Sequence, residues 1–121
     1  MSDLIRKRCV PCEGGVDPQT PEQCRELLGT LDSWQIDETS RVISRDYKFD
    51  NFYQTMAFVN ALAWMAHYED HHPDLEVGYG HCLVTYTTHA IDGLSENDFI
   101  CAAKVDHLLA ESQQAPPACN L

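Results

Sequence analysis

Two adjacent histidines followed by proline, His71-His72-Pro73, are answered by a third histidine, His89, at the end of a strand-like run, and by Asp98 beside a helix start. Imidazole is the one side chain whose unperturbed pKa lies near neutrality, so three histidines converging on one pocket can give and take protons at working pH without a metal or organic cofactor. Asp98 adds a carboxylate, a group able to accept an imidazole N–H. Each piece alone has a plainer explanation. A helix C-terminus favours histidine, and Ser95-x-x-Asp98 sets a carboxylate at the positive end of a helix, where it caps. A zinc site is disfavoured, because no His-Glu-x-x-His pattern occurs and adjacent histidines rarely aim both rings at one ion.

These residues must be positioned by the elements around them. Thr20 and Pro21 read as N-cap and first residue of a short helix ending between Gly29 and Asp32, with Cys24, Leu27, Leu28 and Leu31 as its apolar face. Trp34–Asp37 and Arg41–Phe49 read as a β-hairpin around Glu38-Thr39-Ser40. Asp50 is expected to cap a long helix with Phe52, Met56, Val59, Ala63 and Ala66 on one face, ended near the histidine pair by Pro73. From Glu76 to Thr88 two strands flank Gly78-Tyr79-Gly80; Cys82, Val84 and Tyr86 share one face, while Leu83, Thr85 and Thr87 run in phase with His89. A last helix begins at Ser95-Glu96-Asn97-Asp98, with Cys101, Val105 and Leu108 on one stripe. The expected class is α+β, a four-stranded antiparallel sheet with three helices packed on one face in the order α-β-β-α-β-β-α.

The 121-residue chain suits one domain, with residues 1–19 as an N-terminal arm, 20–113 as the domain and 114–121 as a C-terminal tail. A formal charge of −11 repels phosphate backbones and anionic lipid heads, so neither direct nucleic-acid nor membrane binding is expected. Arg6, Lys7 and Arg8 are followed by Cys9-Val10-Pro11-Cys12 rather than an apolar run, so no signal peptide is read; six cysteines are then expected as reduced thiols in a cytoplasmic protein. Cys9-x-x-Cys12 lacks a second cysteine pair and is read as an arm without metal or redox chemistry. Cys82 and Cys101 are read as small core residues, and Trp34 and Trp64 as core or interface anchors.

As one string, His71-His72-Pro73, Tyr79, His89 and Asp98, with Gly93-Leu94-Ser95-Glu96 before the aspartate, closely resembles the pterin-4a-carbinolamine dehydratase family. The Tyr47-Lys48-Phe49-Asp50-Asn51-Phe52 segment is similar to that family's entry into its long helix, and the likeness runs from about Thr20 to about Leu109. The resemblance implies loss of water from 4a-hydroxytetrahydropterin to give the quinonoid dihydropterin, in tetrahydrobiopterin recycling, with no metal, nicotinamide or flavin. Carried over, His71, His89 and Asp98 are the catalytic set, the histidines as the acid–base pair and Asp98 orienting one of them. His72, Pro73 and Tyr79 are the substrate-binding set. Where the family usually has an acidic residue this chain has His67, with Glu69 or Asp70 as an alternative source of carboxylate. The resemblance also implies a homodimer or homotetramer. It leaves two alternatives open: an interaction module serving as dimerisation cofactor of a transcription factor, and a dehydratase-like protein of a molybdopterin-type pathway.

Overall fold

The computed structural model describes residues 3–11 and 17–114; Cys12 and the tail from residue 115 lie outside them. Its elements are α1 (Pro21–Leu28), β1 (Gln35–Ile36), β2 (Ile43–Lys48), α2 (Phe52–Glu69), β3 (Asp74–Val77), β4 (His81–Tyr86) and α3 (Glu96–Gln114). Short 3-10 turns stand at Asp3–Arg6 and His89–Ile91. Apart from those turns the expected α-β-β-α-β-β-α order holds. All strand pairs are antiparallel, in the sheet order β1-β2-β4-β3.

One sheet face carries the core. Ile43 and Tyr47 of β2 and Cys82, Val84 and Tyr86 of β4 are buried on it. The Phe58 ring of α2 packs 4.7 Å from that of Tyr47 and 5.1 Å from that of Phe49. Burying an aromatic of this size stabilises the fold by about 1.5–3 kcal/mol. Trp34 Nε1, Arg45 and the Tyr47 hydroxyl all donate to Asp106, which ties the first hairpin to α3. Trp34 is therefore a core anchor, whereas Trp64 is largely exposed.

Local chemistry explains the element ends. Thr20 Oγ1 accepts from the Gln23 N–H while Gln23 Oε1 accepts from the Thr20 N–H, a reciprocal box that starts α1. The cap of α2 is Asn51, one residue after the expected Asp50. Asn51 is the residue in extended geometry, and its Oδ1 accepts the Gln54 N–H at 2.9 Å. The buried stripe of α2 also differs from the expected one: it runs Thr55, Phe58, Leu62, Ala66 and Glu69, with Met56 and Val59 half-buried and Phe52 and Ala63 exposed. This helix is apolar around much of its circumference, with Tyr53, Trp64 and Tyr68 on the exposed side, so a three- and four-residue period fits more than one face. Asp70, in left-handed geometry, ends α2 just before the histidine pair.

Candidate active site

Strand register assembles the site. In the β3–β4 pair Asp74 stands opposite Thr85, so the residues just before Asp74 and those just after Tyr86 emerge at the same end of the sheet. His71 and His72 arrive there from the end of α2, and Thr87, Thr88 and His89 from the end of β4. Together they line a cavity of about 520 Å³, within the size range of small-molecule sites.

His71 is the best-supported side chain in it. Its Nε2 lies 2.6 Å from Asp98 Oδ1, and its ring stacks on Tyr86 with centroids 5.6 Å apart and planes 10° from parallel. Asp98 is fully buried and lies behind the histidine rather than on the cavity wall. Its Oδ2 accepts from the Thr88 hydroxyl at 2.7 Å and from the Ser95 N–H at 3.0 Å. Because Thr88 spends its one proton on Asp98, the Ser95 hydroxyl must donate to Thr88 across their 2.8 Å contact. An ionised carboxylate only accepts, so His71 Nε2 carries a proton and Nδ1 is the nitrogen left for a ligand. The Ser95 N–H to Asp98 bond is also the cap of α3. Capping and orientation are one arrangement here, since the cap aims the carboxylate at His71.

His89 stands beyond the end of β4, as the first residue of the 3-10 turn, and is exposed on the cavity wall. The loop carrying it is closed by a bridge between Thr88 and Gly93. Gly93 must lack a side chain, because a Cβ there would sit 2.7 Å from Pro18 Cβ. His72 is exposed on the same wall, and its Nδ1 lies 3.3 Å from the Pro73 carbonyl. Pro73 sets the turn into β3 and lines a neighbouring shallow cavity rather than this one.

Tyr79 is not brought to the cavity. It is 70% exposed in the β3–β4 turn, its carbonyl accepting from Thr55 in the first turn of α2. The whole of β3 separates that turn from the histidines, roughly 14 Å at about 3.4 Å per residue. His67 also stays outside: its ring packs at a tilt against Trp64, with centroids 5.7 Å apart, on the outer side of α2. Glu69 and Asp70 both line the wall, and Glu69 is the buried one of the two. It pairs with Lys104 at 2.8 Å and Arg8 at 3.1 Å, and accepts the Cys9 N–H at 2.9 Å. Burial pushes its carboxyl up, but the Cys9 N–H and Lys104 outweigh that and hold it below its usual value.

The arm supplies the part of the site that sequence reasoning missed. Leu4 is buried, the turn containing it packs on α3, and Arg8, Cys9, Val10 and Pro11 form one cavity wall. Val10 and Asn97 are joined by two hydrogen bonds, Val10 N–H to Asn97 Oδ1 at 3.0 Å and Asn97 Nδ2 to the Val10 carbonyl at 2.6 Å. The only hint in the sequence was Arg6-Lys7-Arg8 beside an aperiodic Cys-Val-Pro. Among the described residues no three His, Cys, Asp or Glu side chains group closely enough to hold a metal ion, and no helix is long and apolar enough to cross a membrane.

A protein of Nitrosomonas eutropha provisionally named pterin-4-alpha-carbinolamine dehydratase is 61% identical over 108 residues, 88% of this chain and 94% of that one. A Legionella pneumophila protein of the same provisional name is 54% identical over 111 residues, covering 91% and 98% of the two chains. The crystal structure of a transcriptional coactivator/pterin dehydratase from Brucella melitensis superposes with a TM-score of 0.72 at 32% identity, covering 76% of this chain and 98% of that one. Residues 17–108, which include the histidine pair, His89 and the Asp98 network, match the family described as Pterin 4 alpha carbinolamine dehydratase, and the chain belongs to that family.

Proposed function

We propose that the chain dehydrates 4a-hydroxytetrahydropterin by histidine acid–base catalysis, in recycling of the pterin cofactor of aromatic amino-acid hydroxylation. The C4a–OH bond breaks as a proton reaches the departing oxygen, N5 gives up its proton, and a C4a=N5 bond forms. The products are water and the quinonoid dihydropterin. His71 and His89 divide the two proton transfers, each contributing about 10²- to 10⁴-fold as a positioned acid or base. His71 works through Nδ1, because Nε2 is committed to Asp98. His72, on the same wall, contacts the pterin. Asp98 is a positioning residue that holds one tautomer and offsets the charge of the imidazolium.

The observation that carries this reading is the 2.6 Å His71–Asp98 contact at a cavity that His89 also lines. The test follows the ultraviolet absorbance of 4a-hydroxytetrahydropterin in chelator-treated buffer for the native chain, His71→Ala and His89→Ala. Loss faster than buffer, slowed in both variants, is expected. A native rate equal to buffer sinks the enzyme, and variants equal to native sink the site. A panel of other pterins decides between this substrate and a molybdopterin-type one.

Homo-oligomerisation belongs to the same reading. Tyr53, Trp64 and Tyr68 lie exposed along α2 and Leu75 and Val77 on the edge strand β3, an apolar surface that a second copy would cover. A second reading, as an interaction module, is favoured by that surface and by the coactivator description of the Brucella relative. Full dehydratase turnover by the isolated chain would separate the two.

A further inference from the structure

The sulfurs of Cys9 and Cys101 lie 3.4 Å apart although 92 residues separate them in the chain. Cys9 is half-buried on the arm that walls the cavity; Cys101 is wholly buried on α3, one turn beyond Asp98, with its sulfur 3.9 Å from the His71 carbonyl. The pair is held in place. Glu69 accepts the Cys9 N–H, and Asn97 clasps Val10 by two hydrogen bonds, so the arm is fixed on both sides of the Cys9 side chain. The cysteine that the sequence sets beside Cys9, Cys12, lies outside the described residues, and the structure gives Cys9 a different partner.

We propose that Cys9 and Cys101 are a reversible dithiol–disulfide pair, oxidised by a hydroperoxide, that fastens the arm to α3 beneath the cavity. A disulfide is about 2.05 Å long, so closing it draws the two sulfurs together by about 1.4 Å, a shift that falls on the arm rather than on the packed helix. Cys9 is the sulfur that solvent reaches, so it attacks the peroxide first. An S–O bond forms, the O–O bond breaks, and the departing oxygen leaves as water. The Cys101 sulfur then displaces the sulfenic oxygen: the S–S bond forms, the S–O bond breaks, and the second thiol proton leaves with that oxygen as water. Two thiols and one hydrogen peroxide give one disulfide and two waters; the sulfurs are oxidised and the peroxide is reduced. The hydrogen bond to Cys9 and burial both hold the Cys101 thiol above its ordinary pKa, so Cys9 rather than Cys101 is the first sulfur to react.

The bond should both stabilise the fold and alter the cavity. Cross-linking so long a loop should raise the Tm of a domain of this size by roughly 10 °C. The effect on turnover rests on the dehydratase reading; bond formation and Tm do not. Because the arm lines the cavity but does not hold His71 or Asp98, oxidation should raise KM by about threefold or more and change kcat less.

The test treats the full-length chain and its Cys9→Ser, Cys12→Ser and Cys101→Ala variants with hydrogen peroxide. Intact mass, peptide mapping without reductant and thermal melts are read before and after dithiothreitol. A Cys9–Cys101 linked peptide in the native chain and Cys12→Ser, absent from the other two and accompanied by the Tm rise, supports the proposal. Cys9 joined to Cys12, Cys9 over-oxidised without any link, or a link that leaves Tm unchanged overturns it. If the reduced chain has no dehydratase activity, the functional reading fails, while mass and melting still decide on the disulfide.

Discussion

Asp98→Asn isolates what the carboxylate does. Asparagine keeps the volume but replaces two acceptor oxygens by one oxygen and one NH₂. With the oxygen toward Thr88 and Ser95, the NH₂ faces His71 Nε2, and the imidazole must move its proton to Nδ1 to accept; with the amide reversed, the NH₂ confronts the Ser95 N–H. Both orientations replace charge-assisted hydrogen bonds by neutral ones at a fully buried position, and the second also leaves the Ser95 N–H without its acceptor. Losing a charge-assisted hydrogen bond removes about 1.5–3 kcal/mol, roughly 10- to 150-fold in rate at 1.36 kcal/mol per decade. The wrong tautomer adds to that, as in the serine-protease precedent where the equivalent change costs about 10⁴. The expected result is a kcat lower by about 10²-fold or more with KM changed less than about threefold, because Asp98 does not face the cavity. Stopped-flow absorbance of the carbinolamine gives the rates, and ¹⁵N NMR of the His71 ring reports the tautomer. Turnover within twofold of native with the proton still on Nε2 would leave Asp98 as a helix cap alone, and the orienting role would be refuted.

Other expectations follow from the same geometry. Tyr79→Ala should leave kcat/KM within about threefold of native, since the turn lies a strand away from the histidines; a drop beyond about tenfold in steady-state kinetics would mean that Tyr79 reaches a site. Trp64→Glu should shift the light-scattering mass toward that of one chain, and an unchanged oligomer would clear the α2 face of that role. At high pH the fold should weaken. Burial, with Asp46 second, pushes the Cys82 thiol up to about 11, and burial raises the Tyr47 and Tyr86 phenols further. Folded-state values above the unfolded ones mean that the native chain holds these protons more tightly. Stability is then intact below an ordinary thiol pKa of about 8.5 and is lost as pH climbs through 11. Denaturant midpoints flat from pH 8 to 11 would contradict those burials.

Much of this molecule was legible before folding because its signals are local. Thr20 with Pro21 starts α1, and Pro73 signals the end of α2 near the histidine pair, although Asp70 in left-handed geometry is the residue that ends it. The alternation of Cys82, Val84 and Tyr86 sets the buried face of β4, and Ser95-x-x-Asp98 starts α3. Tyr79 could have been placed correctly from the same signals. A hairpin whose outer ends carry His71 and His89 must put its turn at the far end. The α2 stripe could not, because several faces of that helix are apolar and only the sheet selects Thr55, Phe58 and Leu62.

By itself the sequence determined the order of elements and, through the spacing of His71, His89 and Asp98, the family to which the chain belongs. Each of those depends on residue type and short-range spacing. Tertiary structure alone decided that Asp98 backs His71 through Nε2, that Glu69 and Asp70 rather than His67 reach the wall, and that the arm completes the cavity through Cys9 and Val10, clasped by Asn97 of α3. It also brought Cys9 against Cys101 across 92 residues. Such contacts are set by how helices, sheet and arm close over one another, and no local pattern records which distant atoms then meet.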